Sequence, residues 1–475
     1  MSLIKRIVIG ILVLLPMGVG MIVPLAARPV ALTQARQQTF KARTSNDRIT
    51  EIAALWTELA YSPWSGESWQ RLGRLQLDLN QYSEAAASLE NAYLREGLSI
   101  EGQAWLANAW ISIGEIDKAK ELLRGFTYIE DVDPFLFLQA ALMQRSIKDI
   151  DGALSTLLRA YELQTDNGEI SYQIALLLVP QRPNEALPFL SQASKLKPDR
   201  SSLCDALSEQ ISGSLGSVEE AGYYLSIGQT LAAYSEWDMA LLAFQKALEL
   251  DPKNGVIWAY MAEAMQQNGQ NGSEAIDQAR KLSPEDEVVN GLSGLFFRRD
   301  GNSEKALMYL EKAMEINPQA LIWEIEIGNT LAEIGNLNEA LDHYQAATII
   351  DSSNYYPWRA LAVFCLNHNY EIDDIGLNAA RRALQLNSGS PALMDLLGTV
   401  LMVTGNLQEA EIYFLQADQI DSRQSAILIH LGQLALLQGQ RQKALDYFSQ
   451  AMEYAQDQRL YETAKSQYTE NGGID

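Results

Sequence analysis

The chain has three imidazoles, His343, His368 and His430, and two thiols, Cys204 and Cys365. Acid–base catalysis, transition-metal binding and nucleophilic attack draw first on these residue types. No two histidines stand at metal-ligand spacing, and neither cysteine has a Cys-x-x-Cys partner. Both cysteines sit inside apolar helical patterns and read as buried, unpaired thiols. Asp131-Val132-Asp133 has the spacing of an acid pair that holds a metal in glycosyl transfer, yet it directly precedes Pro134, where a turn is the simpler role. No Gly-x-Ser-x-Gly elbow is present, and no Gly-rich phosphate loop follows a strand. These residues predict no enzyme, no cofactor, no metal and no small-molecule substrate.

The elements that carry these residues repeat. "WDMALLAFQKALELDPKN", beginning at Trp237, has the shape of "SEKALMYLEKAMEINPQA" from Ser303 and "LNEALDHYQAATIIDSSN" from Leu337. Aligned on the second small residue, the series is Ala92, Phe126, Ala160, Ala193, Ala247, Ala279, Ala313, Ala347, Ala383, Ala417 and Ala451. The steps are 34, 34, 33, 54, 32, 34, 34, 36, 34 and 34 residues. About nineteen residues before each stands another small residue, from Gly73, Ala107, Ala141 and Ala175 to Gly228, Gly328, Gly398 and Gly432. Each unit reads as two amphipathic helices whose close approach needs a small residue on both sides. Gly335-Asn336 and Gly405-Asn406 end a first helix, and Pro252 and Pro318 end a second. No unit can bury its apolar face alone, so neighbours must stack.

This pattern resembles the tetratricopeptide repeat family over residues 66–457. Trp69, Leu72 and Gly73 match the family's Trp-x-x-Leu-Gly opening, and Ile227-Gly228, Ala240, Phe244, Ala247 and Pro252 match the remaining signature. The resemblance implies an all-α, right-handed superhelical solenoid of about eleven helix-turn-helix repeats, with a concave face lined by the first helix of each unit. The family's carboxylate clamp is not matched by Gln70, Arg74, Ala104 and Asn108, nor by Ile325, Asn329 and Arg359.

The departures divide the array. The 54-residue step leaves about twenty extra residues, in which Leu203, Leu207 and Ile211 have helical spacing before the breaker "GSLGS". The expected blocks are 46–213, with the extra helix, and 217–457, followed by a capping helix and tail at 458–475. Pro180 and Pro183 should shorten a first helix. The unit around Ala279 should have a short second helix. Phe126, in place of a small residue, puts the packing of its unit in question.

Net charge is −24, but the first fifty residues carry seven Lys/Arg against one Asp, a balance of +6, so the remainder carries −30. A body that acidic repels phosphate backbones, which argues against nucleic acid as a partner. Lys5 and Arg6 precede the apolar run Ile7 to Ala27, long enough to cross a bilayer as a helix. The reading favoured is a single-pass signal anchor over residues 1–28, followed by a polar, basic linker at 29–45 near anionic head groups. A signal peptide cut near Ala27 is the alternative. The body is expected outside the cytoplasm, although Arg28, Arg36, Lys41 and Arg43 pull towards the opposite orientation.

The function expected is a membrane-anchored, non-catalytic scaffold that binds a protein or peptide on its concave face. The alternative is an accessory subunit of a cell-envelope polysaccharide synthesis or secretion machine. By the family's register, Phe135, Leu138, Leu142, Tyr172, Leu176 and Val179 should line that face, with Arg145 beside them. Left open to water, they would form an apolar docking patch; a fold-back of the helix at 201–213 would close it.

Overall fold

The computed structural model describes residues 30–45, 47–126, 128–129, 133–213, 220–455 and 457–473. These residues are helices and short connections, with no strand among them. The chain divides between residues 218 and 219 into two compact units. The first holds α1 (30–44), α2 (Arg48–Tyr61), α3 (Gly66–Asp78), α4 (Tyr82–Arg95), α5 (Ile100–Ser112), α6 (Ile116–Phe126), α7 (Pro134–Ser146), α8 (Ile150–Leu163), α9 (Gly168–Leu178), α10 (Pro183–Leu196) and α11 (Ser201–Gly213). The second runs α12 (Glu220–Ala233), α13 (Trp237–Leu250), α14 (Gly255–Gln267), α15 (Ser273–Leu282), α16 (Glu287–Arg299), α17 (Ser303–Ile316), α18 (Leu321–Glu333), α19 (Leu337–Ile350), α20 (Tyr355–His368), α21 (Leu377–Leu386), α22 (Pro391–Val403), α23 (Leu407–Ile420), α24 (Ser425–Leu437), α25 (Arg441–Glu453) and α26 (Gln458–Glu470). The apolar run Ile7 to Ala27 lies outside the described residues. Among those described, no helix is long and apolar enough to cross a membrane.

The small residues do what their period requires. A Cβ added at Gly228 would lie 2.3 Å from the Phe244 ring, and one at Gly398 would lie 2.7 Å from the Phe414 ring. Only hydrogen fits where the first helix of a pair meets the aromatic residue of the second. That ring also reaches the next pair. Phe244 stacks on Tyr260 with centroids 5.6 Å apart, and Tyr344 stacks on Phe364 at 4.7 Å. The turns inside the pairs are equally uniform. Asn336 N–H donates to the Leu331 carbonyl and Gly335 N–H to that of Ala332, which closes α18 around a left-handed Gly335. Lys148 and Ser235 hold the same left-handed conformation without being glycine, at φ of 62° and 64°.

Residues 30–44 form a helix where the sequence predicted a linker. The reason lies in register. Thirty-four residues before Gly73 and Ala92 stand Thr39 and Glu58, so α1 and α2 make one further pair ahead of the first recognisable repeat. Ala35 and Ala42, one face of α1, are buried. Glu58 accepts hydrogen bonds from Arg36 and Thr39 of α1 and from Ser68 of α3. Glu51, two turns earlier on α2 in the place of a small residue, takes a two-pronged contact from Arg71 at 2.8 and 2.9 Å. Ion pairs here replace the steric fit that holds the other pairs.

The remaining departures have visible causes. α9 stops at Leu178, ahead of Pro180, and α15 has ten residues. Phe126 fits because α6 ends on it, fully buried after eleven residues. The extra residues form α11, whose Leu203, Cys204, Leu207 and Ile211 are all buried. α26 closes the second unit: it buries only Ala464, and Arg441 of α25 donates to the Asn471 carbonyl at its end.

Candidate functional site

The seven residues expected to form a docking patch do not share one open surface. Phe135 and Leu142 are exposed, at 58% and 40%. Leu138, Tyr172, Leu176 and Val179 are buried, and Arg145 is partly buried, donating to Gln173 at 2.9 Å. The cause is α9. Every residue from Ile170 to Val179 is buried, so this helix has no wet face. The Arg200 guanidinium, in the turn entering α11, lies over the Tyr172 ring at 5.3 Å. An apolar patch six residues wide is therefore not available to water in the first unit.

The residue types that opened the sequence reading do not converge either. His343 pairs through Nδ1 with Glu324 at 2.6 Å, and His430 through Nδ1 with Asp395 at 2.7 Å. No group of three or more metal-ligating side chains occurs among the described residues. Burial pushes the thiol of Cys204 up to about 11 and that of Cys365 up to about 12, which removes the thiolate a nucleophile needs. Asp133 caps α7, accepting from the Phe135 N–H at 2.9 Å. Its partner in the acid pair, Asp131, lies outside the described residues.

A cleft of chemically useful composition lies instead in the second unit, between α18 and α20. It encloses about 320 Å³. Its walls include Ile325, Asn329 and Glu333 from α18, Tyr344 from α19, and Tyr356, Arg359, Asn367 and His368 from α20. The 3.6-residue period puts 325, 329 and 333 on one face of α18, and 356, 359, 363 and 367 on one face of α20. Asn329 is locked in orientation. Its amide donates to Glu326 at 3.2 Å, and its carbonyl oxygen accepts from the Tyr344 hydroxyl. Burial and the nearby Glu326 charge raise the Tyr344 hydroxyl well above its usual range, which keeps it a donor. Burial likewise raises Tyr356.

Charge in the cleft is unbalanced. Arg298 of α16 pairs with Glu326 and lies 3.6 Å from Glu333, so the wall's carboxylates are countered from behind. Arg359 is exposed at the cleft mouth and forms no ion pair among the described residues. The cleft thus offers a guanidinium fork, fixed amides and tyrosine hydroxyls beside the stacked rings of Tyr344 and Phe364. That combination suits an extended peptide carrying an acceptor-rich or acidic group. Ile325, Asn329 and Arg359, which do not match the family's carboxylate clamp, line this cleft together. Their meeting in one cleft depends on Tyr344 and Asn367, which no pairwise clamp pattern includes. A larger cavity of about 600 Å³, lined by Tyr93, Trp110, Lys118 and Ile129, sits in the first unit and has Glu90 and Lys118 engaged with Trp110.

The pairing of helices, the glycine–aromatic contacts and the interhelix cleft define a repeat solenoid. Models of the tetratricopeptide repeat match residues 66–96, 243–276 and 289–319. Over 114 residues, 23% of the chain, it is 32% identical to the human (Homo sapiens) antiviral innate immune response effector IFIT1, covering 24% of that protein. It is 31% identical over 140 residues, 29% of the chain, to the TPR repeat-containing protein MJ1428 of Methanocaldococcus jannaschii, covering 23% of it. The chain thus spans about a quarter of the length of the curated relatives it matches. The crystal structure of yeast Tom70 superposes with a TM-score of 0.44 at 14% identity, covering 94% of this chain and 96% of that one.

Proposed function

We propose that this protein is a membrane-anchored, non-catalytic scaffold that holds a peptide segment of a partner protein between α18 and α20. Repeats of this kind generally serve as protein-binding scaffolds. The observation that carries the assignment is Arg359, a cation without an ion pair among the described residues, set beside the fixed amide of Asn329. A bound acidic or carbonyl-rich segment supplies the missing counter-charge, and Tyr344 and Phe364 supply an apolar floor. The anchor is the apolar run Ile7 to Ala27, long enough to span a bilayer.

A photo-crosslinking residue placed at Asn367 in native membranes tests the reading, with the same residue at the exposed Ile349 as control. Asn367 should yield a discrete adduct that Arg359→Glu abolishes, and Ile349 should not. Equal labelling at both positions, or an adduct indifferent to Arg359→Glu, refutes the cleft as the binding site.

A further inference from the structure

The edge of the first unit that carries Val30, Trp64 and Leu94 has a feature that peptide binding does not use. α1 and α2 form a hairpin. Arg36 and Glu58, which pair across it, each stand eleven residues from Asp47 at the start of α2. Residue 30 therefore stands level with the end of α2 and the following Trp64. The end of α4 joins the same edge, because Arg95 donates to the Pro63 carbonyl at 2.7 Å and Gly66 N–H donates to Glu96 at 2.9 Å. Val30, Trp64 and Leu94 are exposed there at 58%, 59% and 79%. Trp64 is presented by a braced turn, since Pro63 also accepts from the Trp69 indole at 2.9 Å, and Arg95 lies over the Trp69 ring. The opposite edge of the first unit exposes Phe40, Ile49, Ile113 and Ile116.

We infer that this edge of the first unit lies against the surface of the bilayer that holds Ile7 to Ala27, with Trp64 and Leu94 at head-group depth. The inference rests on the anchoring reading. The apolar run ends three residues before Val30. On the anchoring reading, twenty-one residues at 1.5 Å each would reach about 31 Å, the thickness of the hydrocarbon core, which would bring residue 30 out at the interface. Whatever is level with residue 30 emerges there too. Indole rings favour that layer, because the ring is apolar and its N–H finds water or head groups. Leu94 adds an apolar contact. α1 to α4 then stand upright on the membrane, with the bilayer at the edge where one pair connects to the next.

The test uses the full chain reconstituted in phosphatidylcholine vesicles, with and without bromine on the acyl chains. Flotation after carbonate washing reports the anchor. Tryptophan quenching by the bromines reports the edge. Wild type should float and be quenched. Trp64→Phe should float equally and lose roughly half or more of the quenching. Leu94→Trp in the Trp64→Phe background should restore it. If all three float and quench alike, the edge faces away from the bilayer, and the anchor stands. If wild type fails to float, the anchor reading falls and this inference falls with it.

Discussion

Replacing Arg71 by methionine should loosen the packing of α3 on α2 far more than removing its carboxylate partner. Glu51 is 2% exposed and receives both of its side-chain hydrogen bonds from the Arg71 guanidinium, at 2.8 and 2.9 Å. Arg71→Met strands that carboxylate in a dry site. Breaking a fully buried pair from one side costs about 3–5 kcal/mol. The Arg71 side chain is 33% exposed, so water already screens part of the interaction, and about 2–3 kcal/mol is expected. Glu51→Leu instead leaves a guanidinium that turns towards solvent, and should cost about 1 kcal/mol or less. The double variant Glu51→Leu/Arg71→Met replaces the pair with apolar groups and should fall within about 1 kcal/mol of wild type. Stability in a stacked array is local, so the assay is hydrogen exchange in peptides covering 48–78, with peptides from the second unit as internal reference. If Arg71→Met is no worse than Glu51→Leu, the charge pair does not hold α2 against α3.

Other expectations follow from single contacts. Gly228→Ala drives a methyl into the Phe244 ring and should cost about 1–3 kcal/mol, with Phe244→Leu recovering part of the loss in chemical denaturation. Lys148→Gly relieves a left-handed backbone at the turn between α7 and α8 and should raise stability by about 1 kcal/mol, read as a rise in melting temperature; no change means the turn is unstrained. His343 faces Glu324, and also feels Glu311 and Asp342. Its hydrogen bond to Glu324 raises its pKa above the ordinary 6.5. Its contribution is therefore fully present below pH 6.5 and lost as pH rises through the raised value. Melting curves across that window should slope downward for wild type and lose that component in His343→Gln.

The helical pairs were legible in the sequence because their constraint is steric and falls on single positions. Only a small residue fits beneath Phe244 or Phe414, so Gly228 and Gly398 mark the period. The pair α1–α2 was not legible for the converse reason. Glu51 and Glu58 stand where small residues signal the repeat, and their partners Arg71 and Arg36 lie about twenty residues away. Leu203, Leu207 and Ile211 are spaced along one helical face, and α11 buries all three. The burial of Tyr172, Leu176 and Val179 was one of two readings left open, because a first helix of an array ordinarily keeps one wet face and the sequence does not say what covers it. The cleft at Arg359 was not legible as a site: its chemistry is assembled from three helices, and none of its residues is unusual for its own helix.

The burial of α9 also bears on how the chain is made. A ribosome releases Leu178 well before Arg200, whose side chain covers Tyr172, and before α10, which packs along α9. The intervening 22 residues, Val179 to Arg200, take roughly 1–4 s at ordinary rates of synthesis. For that interval the nascent chain displays ten consecutive residues, Ile170 to Val179, that are all buried in the finished protein. The length of chain still unmade, rather than the stability of the product, therefore sets how long this stretch needs a chaperone's cover.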